Sequence, residues 1–315
     1  MKKIFIAAFM FVFTFTSNVS ADGHGIKMGV ILGFTGPIES LTPAMAASAE
    51  LAFKEASDSG SLLGGKKIEV IRADSTCVDS AAATAAAEGI ISQGVAAIMG
   101  ADCSGVTGAI ASNVAVPNGV VMISPSATSP GLTTLDDKGY FFRTAPSDAR
   151  GGQILADITK DRKIKSVAIS YTNNDYGKGL ADSIEANFKA AGGTVTLNAS
   201  HEDGKGDYGA EVAALAQAGG EILVVAGYLN DGGKGIIMAA LDTGAFDMFY
   251  LPDGMIGDSL PEDIGPDLDG SIGAVPGTDS PGAAKFGEMA TANGFKAGPF
   301  AAIPSWSIKK TEEQH

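Results

Sequence analysis

The chain has 315 residues, 45% of them hydrophobic, and a formal net charge of −14. That length suffices for two domains of ordinary size with a sizeable core, and the negative balance disfavours nucleic acid and anionic membrane surfaces as partners. Its 42 glycines are dispersed, with no tandem repeat or low-complexity linker, as many tight strand–helix turns require.

Lys2 and Lys3 precede an apolar run over 4–15, polar Thr16, Ser17 and Asn18, and the small-x-small tripeptide Val19-Ser20-Ala21. This is the three-part layout of a secretory signal; it predicts export, cleavage after Ala21 and a mature chain starting near Asp22. The run is shorter than the roughly 20 residues that a bilayer-spanning helix needs. No later segment is apolar for long enough, so a soluble mature protein is expected. Cys77 and Cys103 are the only cysteines, and in an oxidising compartment they are expected to pair, closing a loop of about 26 residues.

After the signal, strands are expected over 26–32, 67–73, 95–99 and 119–123, alternating with helices over 44–56, 80–92 and 106–114. The pattern then restarts. A helix over 151–160 leads to a strand over 166–171, and a helix over 177–191 is stopped by Gly192-Gly193. A strand over 194–199, a helix over 208–218, a strand over 222–226 and a helix over 234–242 follow, then short strands over 249–251 and 271–275. Such alternation predicts an α/β fold with parallel sheets covered on both faces. Two Rossmann-like lobes with a ligand cleft between them are expected: a signal at 1–21, an N-terminal lobe at 22–145, a C-terminal lobe at 146–275, and a return to the first lobe over 276–315. Ala145-Pro146-Ser147 and Val275-Pro276-Gly277 are the expected crossing points.

Ligands of open α/β sheets lie outside the carboxyl ends of the strands, and clefts between domains are favoured sites. Ser104 follows the strand over 95–99 at the start of a helix. It either caps that helix or presents its hydroxyl and the free N–H groups to a carboxylate. Ser126 and Thr128 lie in the proline-stiffened loop after the strand over 119–123. From the second lobe, Tyr176 and Tyr228 supply apolar walls with hydroxyl tips. Asp253 follows the strand over 249–251, either as a turn residue or as an acceptor for an ammonium. Donors on one lobe with an acceptor and aromatic walls on the other suit a zwitterionic α-amino acid.

Several segments make a resemblance specific: Ile26-Lys27 through Gly36-Pro37, the pair Cys77 and Cys103 with Ser104 behind it, Ile123-Ser124-Pro125-Ser126-Ala127-Thr128, Asn174-Asp175-Tyr176-Gly177-Lys178-Gly179-Leu180-Ala181, and Asp207-Tyr208. On these residues the chain resembles the leucine/isoleucine/valine-binding family of type I periplasmic solute-binding proteins. The resemblance implies that Ser104, Ser126 and Thr128 hold a ligand carboxylate with Ala127 beside them. Tyr176 would close over the ligand, Tyr228 would lie near its side chain, and Asp253 would receive its ammonium. It also implies a periplasmic location, an ABC-type membrane permease as partner, no cofactor or metal, and a monomer. Leucine-type members commonly carry Glu where this chain has the shorter Asp253, and an aromatic where it has Leu41. Relatives continue beyond 294–300 with a long helix and returning strands, so a C-terminally shortened member is expected.

Other functions find less support. The chain carries none of the Gly-x-Ser-x-Gly, His-Glu-x-x-His or Walker-type motifs of common enzyme classes. His201-Glu202-Asp203 is expected in a solvated turn, because consecutive residues of an extended segment point to alternate sides. Asp267-x-Asp269-Gly270 matches only part of a calcium loop. A ligand-sensing protein for a separate receptor, or a binder of a short amide or urea-like solute, is the alternative on the same fold.

Overall fold

The computed structural model describes residues 25–276, 281–298 and 300. The expected signal at 1–21, residue 277 of the second crossing point and the C-terminal tail lie outside the described residues. Two five-stranded sheets form, and every strand pairing is parallel.

The first lobe contains β1 (Ile26–Leu32), α1 (Thr42–Asp58), β2 (Ile68–Asp74), α2 (Ser80–Ser92), β3 (Ala97–Gly100), α3 (Ser104–Ile110), β4 (Val121–Ser124) and β5 (Phe141–Arg143). The second contains α4 (Asp148–Asp161), β6 (Ser166–Thr172), α5 (Asp175–Ala190), β7 (Thr194–His201), α6 (Gly209–Ala218), β8 (Ile222–Ala226), α7 (Lys234–Thr243), β9 (Phe249–Leu251), α8 (Ser259–Ile264) and β10 (Ile272–Gly273). A further helix, α9 (Pro281–Ala292), follows. The strand orders are β2-β1-β3-β4-β5 and, read from its other edge, β7-β6-β8-β9-β10. Both lobes thus have one topology, with the first strand between the second and third. This is the doubly wound order whose switch point favours ligands at the strand ends.

Local chemistry explains the elements. All five residues of β8, Ile-Leu-Val-Val-Ala, are buried. A central parallel strand covered on both faces requires such a continuous apolar run. Helix starts are set by polar caps: the Asp79 carboxylate accepts from the N–H groups of Ala81 and Ala82, and the Asn174 side chain from Gly177. At Gly100, φ is +132°, and a Cβ there would stand 1.9 Å from the Ile31 carbonyl oxygen. Only glycine lets β3 leave the sheet so close to β1.

Some features differ from the sequence reading. β5 was not expected: it is three residues long and has Phe142 exposed, so it lacks both the length and the alternation of a recognisable strand. His201 is not in a solvated turn. It ends β7, which runs two residues further than expected, and is 1% exposed. One ring nitrogen lies 2.8 Å from Ser170 Oγ and the other 3.2 Å from Thr172 Oγ1. Burial depresses the pKa of this imidazole to about 4.

Candidate ligand-binding site

The lobes meet at the carboxyl ends of their strands. There a small cavity is lined by Ile38, Leu41, Met45, Ser104, Ser126 and Phe300 among others from one side, and Tyr176, Tyr228, Asp253 and Gly254 from the other. Its volume of about 20 Å³ accommodates little more than one water. The lobes are closed on each other: Asn230 Nδ2 donates to the Pro37 carbonyl at 3.0 Å, and a Cβ on Gly179 of α5 would stand 2.8 Å from Ser129 Oγ. A larger crevice of about 870 Å³ opens between α3 and α5, but of the expected site residues only Ser104 borders it. The strand-end cavity is the better candidate because the polar groups converge there.

Cys77 and Cys103 are disulfide-bonded, with Cα atoms 5.1 Å apart. The bridge joins the segments following β2 and β3 and fixes the chain just before Ser104. Cys103 is the N-cap of α3 and Ser104 its first residue, so Ser104 does not cap the helix. The Ser104 hydroxyl accepts the Ser129 N–H at 3.1 Å, tying α3 to the loop after β4. Ser126 Oγ donates to the Asp102 carbonyl at 3.1 Å. Ala127 and Thr128 do not line the cavity. The Ala127 N–H is used by Ser124 Oγ at 3.0 Å, and the buried Thr128 hydroxyl has no hydrogen-bond partner of good geometry.

On the second lobe, the Tyr176 hydroxyl donates to Asp253 Oδ1 at 2.6 Å and accepts the Gly254 N–H at 3.0 Å. The Tyr176 ring stacks on Tyr228, centroids 4.9 Å apart at 19°. Asp253 Oδ1 also accepts the Gly254 N–H at 3.0 Å. Asp253 Oδ2 accepts no hydrogen bond among the described residues. Burial raises the Asp253 pKa, against the opposing effect of the Tyr176 hydroxyl and the Gly254 N–H. A desolvated carboxylate with one oxygen anchored and the other open is a ready acceptor for an ammonium.

Sequence reasoning missed two acids. Asp148, in the first turn of α4, is 6% exposed, and its Oδ2 has no partner of good geometry. Burial, and then the charge of Asp253, push its pKa up to about 8. Its only signal in the sequence was the helix-start pattern Ser147-Asp148, which reads as an ordinary capped terminus. Asp102 is 2% exposed and lines the cavity beside Cys103. Its position directly after a strand was the one available signal. Arg143 is half-buried and donates to the carbonyls of Ala127, at 3.3 Å, and Ser129, at 2.8 Å, which braces the loop after β4.

A two-lobed α/β protein with polar groups converging at a closed inter-lobe cleft has a site of the kind that takes a small molecule. The family model described as "Periplasmic binding protein" matches residues 25–299, and the chain belongs to that family. That is a family of transporter solute-binding proteins, not of enzymes. The chain is 32% identical over 234 residues to Leu/Ile/Val-binding protein homolog 3 of Brucella melitensis, a match covering 74% of this chain and 62% of that protein. The match thus spans somewhat under two thirds of that relative's length. Among solved structures, it resembles the branched-chain amino acid transporter substrate-binding protein LivJ of Streptococcus pneumoniae in complex with isoleucine. The TM-score is 0.77 at 27% identity, covering 91% of this chain and 82% of that one. The leucine-binding protein LivK of Thermotoga maritima shares the fold at TM-score 0.79 and 24% identity, covering 90% and 81%. Among the described residues, no helix is long and apolar enough to cross a membrane.

Proposed function

We propose that this protein is an extracytoplasmic solute receptor that captures an α-amino acid by lobe closure and delivers it to an ABC-type permease. The observation that carries this reading is the Asp253 carboxylate, anchored through Oδ1 by Tyr176 and Gly254 and facing Ser104 and Ser126 across the cavity. The α-ammonium docks on Asp253. The Ser104 hydroxyl and the first N–H groups of α3 hold the carboxylate, with Ser126 beside them. Tyr176 and Tyr228 cover the ligand from the second lobe.

Because the closed cavity holds little more than a water, a ligand enters only when the lobes part. The chain crosses between them near 145–147, and rotation there opens the cleft. Only the closed form makes both sets of contacts, so ligand selects that form. Export through the signal at 1–21 and a monomeric state complete the proposal.

The test is a thermal-shift screen of the oxidised protein against the common L-amino acids, their amides and small organic acids. A ligand bound only by the folded form adds about 2.7 kcal/mol at a hundredfold excess over Kd. A rise in Tm with amino acids is expected. A cooperative melt that no amino acid moves contradicts the reading.

A further inference from the structure

His201 does not line the cavity, but it stands behind a part of the wall that does. Its ring nitrogens lie 2.8 Å from Ser170 Oγ and 3.2 Å from Thr172 Oγ1, both on the neighbouring strand β6. Burial keeps the imidazole neutral at ordinary pH. In either neutral tautomer one nitrogen donates and the other accepts, so a hydroxyl satisfies each. Thr172 Oγ1 in turn accepts the Tyr228 N–H at 3.3 Å. Between β8 and Tyr228 stands Gly227, where a Cβ would lie 2.1 Å from the same hydroxyl. The absence of a side chain there is what admits Thr172 Oγ1 to the Tyr228 amide.

The same ring supports the turn that follows. The chain curls back over 229–233, with the Gly233 N–H on the Tyr228 carbonyl at 3.1 Å. A Cβ on Gly232 would stand 2.7 Å from His201 Cδ2 and 3.0 Å from the Tyr208 hydroxyl. Tyr208 meets the imidazole edge-on, centroids 6.0 Å apart at 89°. The turn carries Asn230, whose side-chain amide donates to the Pro37 carbonyl of the first lobe at 3.0 Å. Tyr228, stacked on Tyr176 at the cavity, and Asn230, bonded across the lobes, thus both rest on one buried side chain. A binding group keeps its geometry only where hydrogen bonds and packing behind it lock it in place.

We infer that His201 is a positioning residue for the closed cleft: through Thr172 it sets the Tyr228 main chain, and by its packing under Gly232 it sets the turn bearing Asn230. Its effect on affinity rests on the amino-acid reading above; its effect on the main chain does not. In His201→Gln the side-chain amide takes the place of Nε2 and keeps the bond to Thr172. In His201→Asn the shorter amide takes the place of Nδ1 and reaches Ser170 alone. Amide hydrogen exchange, resolved by NMR without ligand, should find Tyr228 protected in the wild type and the Gln variant. In the Asn variant that amide should exchange at least about tenfold faster, measured against the amides of β8. L-Leucine affinity by titration calorimetry should stay within about twofold in the Gln variant and fall about three- to tenfold in the Asn variant, as for one lost hydrogen bond. Equal Tyr228 exchange in all three proteins, or a Gln variant as impaired as the Asn variant, overturns the inference, and leucine binding to the wild type then leaves the amino-acid reading standing. If leucine gives no heat with the wild type, the exchange rates alone decide the inference. If the Asn variant does not melt cooperatively, an unprotected Tyr228 amide in the wild type or the Gln variant overturns it.

Discussion

Tyr176 and Asp253 are joined by a 2.6 Å hydrogen bond, both buried and both at the wall of the inter-lobe cavity. The phenol holds one carboxylate oxygen and leaves the other to a ligand. Tyr176→Phe keeps the stack on Tyr228 but removes this donor. Hydrogen bonds to charged groups contribute about 1.5–3 kcal/mol. Amino-acid affinity measured by titration calorimetry should therefore fall about 10- to 100-fold. An unchanged Kd would show that Tyr176 only packs.

Asp148 makes stability depend on pH. Its pKa in the folded protein is raised to about 8, so the folded state holds this proton more tightly than the unfolded chain does. Stability from this group is then greatest in acid and is lost as pH rises towards 8. His201, depressed to about 4, acts in the opposite sense, but only below its ordinary value of 6.5. Between pH 6.5 and 8 the acid dominates. The Tm without added ligand should fall across that window, and Asp148→Asn should flatten the fall and raise Tm at pH 8. A variant with the wild-type slope would contradict this account.

The disulfide closes a loop with a sequence separation of 26. The chain-entropy model gives about 3–4 kcal/mol for a loop of this size. Reduction should lower the urea midpoint accordingly and should also weaken ligand binding, since Ser104 follows Cys103 directly. A midpoint unmoved by reductant would contradict the first expectation.

Gly177 sits in the first turn of α5, where alanine is ordinarily favoured by about 1 kcal/mol. Here a Cβ would stand 2.2 Å from the Thr172 carbonyl oxygen and 2.9 Å from that of Ala226. Both atoms are backbone, at the ends of the central strands β6 and β8, and cannot yield. Gly177→Ala should therefore destabilise by at least about 2 kcal/mol in chemical denaturation. A stabilised variant would mean that the close approach is not obligatory.

The alternation of buried strands and helices was legible because parallel strands read as continuous apolar runs. β1, β8 and β9 and helix α2 emerge with the bounds that the residues suggest. β5 and α8 were not legible, being three and six residues long and held by their neighbours rather than by their own pattern. At the site, Tyr176, Tyr228, Asp253, Ser104 and Ser126 converge as the strand-end argument requires. Ala127 and Thr128 stand behind, because the loop after β4 turns their polar groups away from the cavity. Asp102 and Asp148 escaped notice for a physical reason. An acid at a strand end or helix start is ordinarily solvated, and nothing in the local pattern announces that the surrounding chain buries these two.

The central claim is that an α-ammonium is bound by Asp253. Isothermal titration of L-leucine and L-ornithine into the wild-type protein and into Asp253→Asn tests it most directly. Removing one partner of a buried charge pair costs about 2–5 kcal/mol. The account predicts one-to-one binding of at least one of these amino acids to the wild type and an affinity at least about 30-fold weaker in the variant. Equal affinity in the two proteins, or no binding of either amino acid to the wild type, would contradict it.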